Sequence, residues 1–287
     1  MTLETTVETT IRDFAERPWR AVTDNDLGPA DHVPTMLSHE ESQLYFWLAR
    51  ERAAGTGAIV DLGAFAGGST ARLGAGAAAG RFSPRIIAYD RFTADAQTKE
   101  RILYQGGIAP FEGRDILLLA HRLLTPFKPA VDLRAGEIEE QIWADGPIEL
   151  LIVDIAKSAA SADHVAQTFF PHLIAGRSIV VQQDFLHRYQ PWLPAQMSLL
   201  SEYFIPLARV SNHSIVFLCT KAPPPEAIAR ARTALLTDAD LTQLVRESAL
   251  RYRALANRFW FASMVREIAA HPEARTAWKL RQPHATA

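Results

Sequence analysis

The sequence predicts an α/β protein in which a mostly parallel sheet has helices on both faces. Short apolar runs alternate with helical patterns through the middle of the chain, as is typical of parallel strands joined by crossover helices. The run 149–154 is almost wholly apolar, like a central strand buried on both faces. A glycine-rich turn follows the first apolar run, and such turns allow a ligand to approach the backbone closely.

The first segment, residues 1–57, is predicted to be a helical extension outside the sheet. Ser38 is followed three residues later by Glu41, and this spacing forms a capping box at the start of a helix. We expect that helix to cover a ligand cleft.

The predicted core spans residues 58–221. Five strands are expected over 58–63, 85–90, 130–135, 148–154 and 177–183. A helix over 194–204 follows, and then strands over 205–210 and 214–219 joined by the turn-prone Ser211, Asn212 and His213.

The last segment, residues 222–287, is predicted to be a helical extension that begins at the stiff run Pro223, Pro224 and Pro225. It contains ten Lys or Arg residues against six Asp or Glu residues. Three interpretations stay open: a solvated helix face, a clamp for an anionic substrate, or a subunit contact. The aromatic run 259–261 among these arginines favours a homodimer or larger homo-oligomer.

Composition narrows the classes of partner. The 287 residues are 48% hydrophobic and carry a net charge of −2, which argues against general nucleic-acid binding. No apolar stretch is long enough to span a bilayer, so a cytoplasmic protein with a small-molecule substrate is expected. The single cysteine, Cys219, lies in an apolar run and is expected to be buried.

The glycine-rich turn after the first strand departs from two common phosphate-binding motifs. Phe65 stands where the dinucleotide motif G-x-G-x-x-G needs its second glycine, and Ser69 stands where a P-loop needs lysine. Ser69 and Thr70 are expected to cap the next helix. The residues of this turn that we predict to bind a cofactor are Asp61, Gly63, Ala64, Phe65, Gly67, Gly68, Ser69 and Thr70.

The second strand ends in Asp90. An acid at this position, some 20 residues beyond the glycine turn, accepts hydrogen bonds from ribose hydroxyls in nucleoside-binding α/β folds. The neighbouring Arg91, and Glu137 after the third strand, are further predicted cofactor contacts, with Glu137 near the adenine.

An acid at the strand end followed by G-x-x-x-G-G resembles motif I of class I S-adenosylmethionine-dependent methyltransferases. The resemblance implies a Rossmann-like seven-stranded sheet whose last strand is antiparallel. It also implies S-adenosylmethionine as the cofactor, with its amino-acid end wrapped by the turn.

A second resemblance concerns Asp154 and, about thirty residues later, the run Gln183, Asp184 and Phe185. This pattern resembles the macrocin O-methyltransferase group of natural-product enzymes, which hold Mg²⁺ with an Asp-Gly-Asp and a paired acid. The resemblance implies Asp154 and Asp184 as metal ligands. The chain lacks the second acid of each set, so a metal-free site beside Lys157 stays open.

The predicted catalytic residues are Asp154, Asp184 and His187, because ligands of open α/β sheets bind at the carboxyl ends of the strands. His187 has a suitable ordinary pKa for a base that deprotonates an alcohol, and Asp184 would orient it or act itself. Asp154 also counts among the predicted cofactor contacts. A surface role for His187 and a solvent-exposed Lys157 are the alternatives.

The predicted function is therefore methyl transfer from S-adenosylmethionine to an oxygen of a small natural-product or sugar-like acceptor. Two other classes stay open: an NAD-type oxidoreductase, and a non-catalytic adenosyl-binding or oligomerisation module. The segment 189–194, rich in aromatic residues and proline, is expected to wall a substrate pocket, with Trp192 as a core residue in the alternative.

Overall fold

The computed structural model describes residues 3–128 and 130–282 and contains a seven-stranded sheet. Residues 1–2 and 283–287, which belong to the two predicted extensions, lie outside the described residues. The strands are β1 (Ala58–Leu62), β2 (Ile86–Asp90), β3 (Val131–Ala135), β4 (Ile148–Val153), β5 (Ile179–Gln182), β6 (Phe204–Val210) and β7 (Ser214–Cys219).

The sheet order is β3-β2-β1-β4-β5-β7-β6. Strands β1, β2 and β3 pair in parallel, whereas β7 is antiparallel to both β5 and β6. The expectation of a seven-stranded sheet with an antiparallel last strand is confirmed. The buried, nearly all-apolar β4 lies at the centre of the order, as its sequence predicts.

The helices are α1 (Leu3–Ala15), α2 (Asp24–Leu27), α3 (His39–Trp47), α4 (Gly68–Ala79), α5 (Ala96–Thr98), α6 (Leu117–Leu123), α7 (Ala159–Phe169), α8 (Trp192–Leu199), α9 (Pro225–Arg230), α10 (Asp238–Arg251), α11 (Arg258–Ala270) and α12 (Ala277–Leu280). Helix α8 begins two residues earlier than predicted and ends five earlier. Pro194 is tolerated because the first turn of a helix needs no amide donor there. None of the helices in the described parts of the chain is long and apolar enough to cross a membrane.

The chain forms two compact units, one of which is Arg12–Ile152. In this unit the predicted capping box is confirmed: Ser38 Oγ accepts from the Glu41 amide at 3.3 Å, and Glu41 accepts from the Ser38 amide at 2.8 Å. Helix α3 packs on α4. The buried guanidinium of Arg72 donates to Ser42 Oγ and to the Val33 carbonyl, both at 3.0 Å, which fixes the segment before β1 to α4.

The segments on either side of Arg12–Ile152 form the other unit. Here the buried carboxylate of Asp163 on α7 accepts from the amides of Thr233 and Ala234 at 2.8 and 3.0 Å and from Gln196 Nε2 at 3.1 Å. It therefore ties the chain before α10 to α7 and α8. Cys219 is buried as predicted, and burial raises the pKa of its thiol to about 12.

The C-terminal chain also pairs with the segment after β4. Ser158 and Thr276 form an antiparallel bridge, and the Ala277 amide donates to the Lys157 carbonyl at 2.9 Å. The start of α12 thus fixes the backbone at Lys157. The division of the sequence at 57/58 and 221/222 stays a prediction.

Candidate functional site

The glycine-rich turn between β1 and α4 holds three residues in the left-handed region. Their φ angles are 105° at Gly63, 50° at Phe65 and 96° at Gly67. A side chain in this region costs about 1–2 kcal/mol, so Phe65 is a strained residue that its surroundings must hold in place. Gly63 and Phe65 are the partly exposed residues of the turn, whereas 64 and 66–70 are buried.

Asp90 at the end of β2 supplies that restraint. Its Oδ2 accepts from the Phe65 amide at 2.9 Å, and its Oδ1 accepts from the Phe92 amide at 2.6 Å. Burial raises the pKa of Asp90, while these amide donors oppose the rise. Asp90 therefore shapes the turn. Its predicted ribose contact stays a prediction.

Asp61 contacts the two hydroxyl residues of the turn. Its Oδ2 accepts from Ser69 Oγ at 2.7 Å and from Thr70 Oγ1 at 2.6 Å. The expectation that Ser69 and Thr70 cap α4 is wrong, because Gly67 is the N-cap residue and makes no side-chain cap. The two hydroxyls lie within the first turn and reach back to β1. The buried Asp61 Oδ1 has no hydrogen-bond partner among the described residues.

The stability of the protein is expected to depend on the ionisation of Asp61. Desolvation raises its pKa to about 6 from 3.8, against the bonds from Thr70 and Ser69. The folded state therefore binds the Asp61 proton more tightly than the unfolded state does. This proton binding stabilises the folded state fully below pH 3.8, and the stabilisation is lost as the pH rises through about 6. In Asp61→Asn, whose side chain stays neutral, the free energy of unfolding relative to wild type should rise by about 2–3 kcal/mol between pH 4 and pH 7.

Denaturant unfolding at a series of pH values measures this difference. The matched control is Glu112→Gln, an exposed acid of the same unit, whose difference from wild type should stay flat. A flat profile for Asp61→Asn would show that the buried carboxylate does not carry this proton linkage.

Two glycines of the turn have structural reasons to be glycine. A Cβ on Gly67 would lie 2.8 Å from Leu124 Cδ1, and one on Gly68 would lie 2.6 Å from the Pro34 carbonyl oxygen. Their predicted ligand contacts remain predictions. The reasons differ: Gly67 has a φ of 96°, which side chains rarely adopt, whereas a Cβ at Gly68 would collide with the backbone at Pro34.

Arg91 and Glu137 follow the adjacent strands β2 and β3, and the structure brings them together. Their side chains lie 4.0 Å apart and are 63% and 57% exposed. An ion pair this exposed contributes little to stability, so both side chains can turn toward a ligand at low cost.

The other unit contains the predicted acceptor-side residues. Lys157 Nζ donates to Asp154 Oδ1 at 2.6 Å and to Asp184 Oδ2 at 2.5 Å. Gln190 Nε2 donates to the same Asp184 oxygen at 2.6 Å. The side chain of Lys157 is 42% exposed, as the alternative of a solvent-exposed cation expects, but its ammonium also bridges the two carboxylates.

The charges of this cluster hold one another ionised. Burial lowers the pKa of Lys157, but attraction to Asp154 and Asp184 outweighs it, and the net pKa is raised. Burial likewise raises the pKa of Asp184, yet the Lys157 charge holds it below its usual value. At neutral pH the cluster is two carboxylates around one ammonium.

This arrangement does not fit a magnesium ion. Mg²⁺ needs oxygen ligands at about 2.0–2.1 Å, and the position between the two carboxylates is taken by Lys157 Nζ. Residues 3–128 and 130–282 contain no group of three or more His, Cys, Asp and Glu side chains placed to hold a metal.

His187 lies beside this cluster. Desolvation lowers its pKa more than the negative charge of Asp184 raises it, so the imidazole is neutral at neutral pH. Its Nδ1 accepts from the Tyr189 amide at 3.4 Å, which favours the proton on Nε2. Within the described residues the side-chain donors to Asp184 are Lys157 and Gln190, so Asp184 does not orient His187 by a hydrogen bond.

A cavity of about 420 Å³ opens next to His187. The imidazole of His213 lies 5.3 Å from that of His187, and Trp260 lies 5.1 Å from His213, measured between ring centroids. This volume is in the range of small-molecule pockets. The residues that line it are His187, Arg188, His213, Phe259, Trp260 and Ser263.

The segment 189–194 was expected to wall a substrate pocket, with Trp192 as a core residue in the alternative. Trp192 is fully buried and donates from Nε1 to the Ala156 carbonyl at 2.9 Å, so it is a core residue. Gln190 is the functional candidate of the segment, and nothing in the sequence distinguished it. His213 and Trp260 come from the β6–β7 turn and from α11, so only the tertiary structure places them near His187.

Among solved structures, the chain is similar to the O-methyltransferase NovP, with a TM-score of 0.50 and 11% identity over 77% of this chain and 100% of NovP. A second similar structure is the SAH-bound methyltransferase PaMTH1 of Podospora anserina, with a TM-score of 0.46 and 13% identity over 75% and 88% of the chains. SAH-bound CalO1, a methyltransferase in calicheamicin biosynthesis, has a TM-score of 0.35 and 11% identity over 62% of this chain and 54% of its own.

No family model matches the sequence. No curated protein matches it either. The likeness to NovP is one of fold, and it agrees with the predicted Rossmann-like seven-stranded sheet.

Proposed function

We propose that this chain is a class I S-adenosylmethionine-dependent methyltransferase that methylates an oxygen of a small molecule. The observation that carries the proposal is the strained turn after β1, which Asp90 holds in shape through the Phe65 amide. Backbone strain of this kind persists where the surrounding structure enforces it and is concentrated at ligand sites. The fold shared with NovP supports the same class.

The residues of the turn fit an adenosyl cofactor. Gly63 and Phe65 are the partly exposed positions of the turn, Asp90 offers carboxylate oxygens for a ribose, and Glu137 follows the end of the neighbouring strand β3. S-adenosylmethionine, when bound, supplies a methyl group activated by its positive sulfur. The turn itself contributes no lysine or arginine between Asp61 and Thr70, which suits an adenosyl ligand without phosphates.

The alternative of a nicotinamide-dependent oxidoreductase is disfavoured at the same turn. A dinucleotide requires glycine at position 65 so that the backbone approaches its pyrophosphate. Phe65 stands there, and its side chain packs against the cluster around Phe92 and Leu103. The non-catalytic alternative is disfavoured by the ionised cluster on the acceptor side, which a binding module would not need.

The acceptor is proposed to bind in the cavity beside His187. Aromatic walls from Trp260 and Phe259 suit a flat ring, and the Nε2 proton of His187 suits an oxygen on it. Asp184, held ionised by Lys157, is the carboxylate proposed to accept the hydroxyl proton, because the favoured tautomer of His187 carries its own proton on Nε2. The remaining contribution to the rate is proposed to come from holding the acceptor oxygen in line with the methyl group.

Three finer expectations remain part of this proposal. The acceptor is a natural-product or sugar-like hydroxyl compound, the protein is cytoplasmic, and it forms a homodimer or larger assembly through the arginine-rich and aromatic C-terminal segment.

Calorimetry tests the proposal directly. S-adenosylhomocysteine is expected to bind the purified protein with micromolar affinity, whereas NAD should give no heat of binding. In Asp90→Ala the affinity for S-adenosylhomocysteine should fall by about tenfold or more, because both the turn and the carboxylate contact are lost.

The matched control is Asp132→Ala, an acid on the neighbouring strand with half of its side chain exposed, which should bind like wild type. Binding of NAD in place of the thioether would support the oxidoreductase. Equal affinities for wild type and Asp90→Ala would remove Asp90 from the cofactor site.

A further inference from the structure

The acceptor-side cluster is built around an ammonium at the position that a metal would take. Lys157 Nζ is within 2.6 Å of an oxygen of Asp154 and within 2.5 Å of an oxygen of Asp184. The Asp184 oxygen also accepts from Gln190 Nε2 at 2.6 Å. One oxygen of each carboxylate, Asp154 Oδ1 and Asp184 Oδ2, is therefore already engaged by protein donors.

The chain holds Lys157 in this position by its backbone. The Lys157 amide donates to the Ile155 carbonyl at 2.7 Å, which turns the chain sharply after β4 and returns the side chain to Asp154 three residues earlier. On the other side, the Lys157 carbonyl accepts from the Ala277 amide at 2.9 Å. These two hydrogen bonds fix the backbone on both sides of the Lys157 side chain.

The charge of the site matches a monovalent cation. Two carboxylates and one ammonium leave a single net negative charge, and the neighbouring position 183 is Gln. A divalent cation added to the same oxygens would stand within contact distance of the ammonium, and the two positive charges would repel each other strongly in a partly buried site. The cluster is complete without a metal.

We propose that the Lys157 ammonium permanently replaces a divalent cation between Asp154 and Asp184, and that the site works without metal on acceptors that present a single hydroxyl. The inference rests on the proposed function for its acceptor. A hexacoordinate metal can bind two adjacent hydroxyl oxygens at once. Of the three ammonium protons, two are donated to Asp154 and Asp184 within the described structure, so one is left for one acceptor oxygen.

Removing the ammonium should expose the metal position. Mn²⁺, titrated into the purified full-length protein and followed by electron paramagnetic resonance, is expected to show no saturable binding to wild type. In Lys157→Met, whose side chain is close in length and carries no charge, Mn²⁺ should bind saturably, at a concentration at least about tenfold below the highest one at which wild type shows no binding. The double variant Lys157→Met with Asp184→Asn should lose that binding.

Lys221→Met is the matched control, because Lys221 lies in the same unit, is 58% exposed and pairs loosely with Glu202, at 4.0 Å. Like wild type, the Lys221→Met variant should show no saturable Mn²⁺ binding. Thermal unfolding with and without Mn²⁺ provides a second readout, since a ligand of the folded state raises its melting temperature. A melting temperature raised by Mn²⁺ in Lys157→Met alone supports the proposal even where that variant is destabilised.

Saturable Mn²⁺ binding to wild type that Asp184→Asn abolishes would overturn the proposal. So would a folded Lys157→Met variant that binds no Mn²⁺ by either readout. Both measurements are made without cofactor and acceptor, so their failure is distinct from failure of the proposed function, which the titration with S-adenosylhomocysteine decides separately.

Discussion

An Asp184→Asn variant is expected to bind S-adenosylhomocysteine like wild type and to lose about 10²- to 10³-fold in turnover, the usual size of a lost proton acceptor. The amide keeps the shape of the carboxylate and can still accept from Lys157 and Gln190. What it loses is the ability to take the proton of the acceptor hydroxyl. Release of S-adenosylhomocysteine during incubation with a panel of hydroxylated aromatic compounds measures turnover.

His187→Ala separates the two candidates for the proton acceptor. If Asp184 takes the proton and His187 only donates a hydrogen bond from Nε2, the turnover of His187→Ala should fall by about tenfold. Glu202→Gln, an acid of the same unit with 77% of its side chain exposed, is the control and should retain full turnover. A larger loss in His187→Ala than in Asp184→Asn would return the role of base to the histidine.

The largest expected loss of stability comes from Asp163→Ala. Besides the two amides and Gln196, the carboxylate accepts from Thr233 Oγ1 at 3.0 Å. The substitution leaves these buried donors without a partner, and we expect it to lower the free energy of unfolding by about 3–5 kcal/mol. Urea unfolding of the variant against wild type measures the difference.

Asp163→Asn provides a graded comparison, because its amide oxygen can replace one carboxylate oxygen while its NH₂ group faces the donors of the other. Asp163→Asn should lower the free energy of unfolding by about 1–2 kcal/mol, which is less than Asp163→Ala does. Glu202→Ala, at an exposed position of the same unit, should change stability by less than about 0.5 kcal/mol. Equal stability of Asp163→Ala and wild type would mean that the donors find other partners.

The order of apolar runs and turns was enough to predict the sheet. Every strand was placed within two residues of its observed bounds, because a strand buried on both faces requires a continuous apolar run and a turn residue at each end. The Ser38 capping box could be predicted for the same reason: its bonds join residues three apart.

Predictions about side-chain partners were less secure where several elements meet. Ser69 and Thr70 carry the residue types of a helix cap, but the position of Asp61 on β1 draws both hydroxyls away from that role. The spacing of Lys157 three residues after Asp154 was a signal for their contact. The participation of Asp184, about thirty residues later, depends on the approach of β5 to β4.

The sequence by itself therefore determined the fold class, the strand limits and the turn that is proposed to bind the cofactor, because these follow from local pattern and backbone preference. Only the tertiary structure decided the state of the acceptor side. Whether two aspartates lie open to a metal or are bridged by an ammonium depends on where one lysine side chain comes to rest. That position is set by the turn after β4 and by the start of α12, more than a hundred residues apart in the chain.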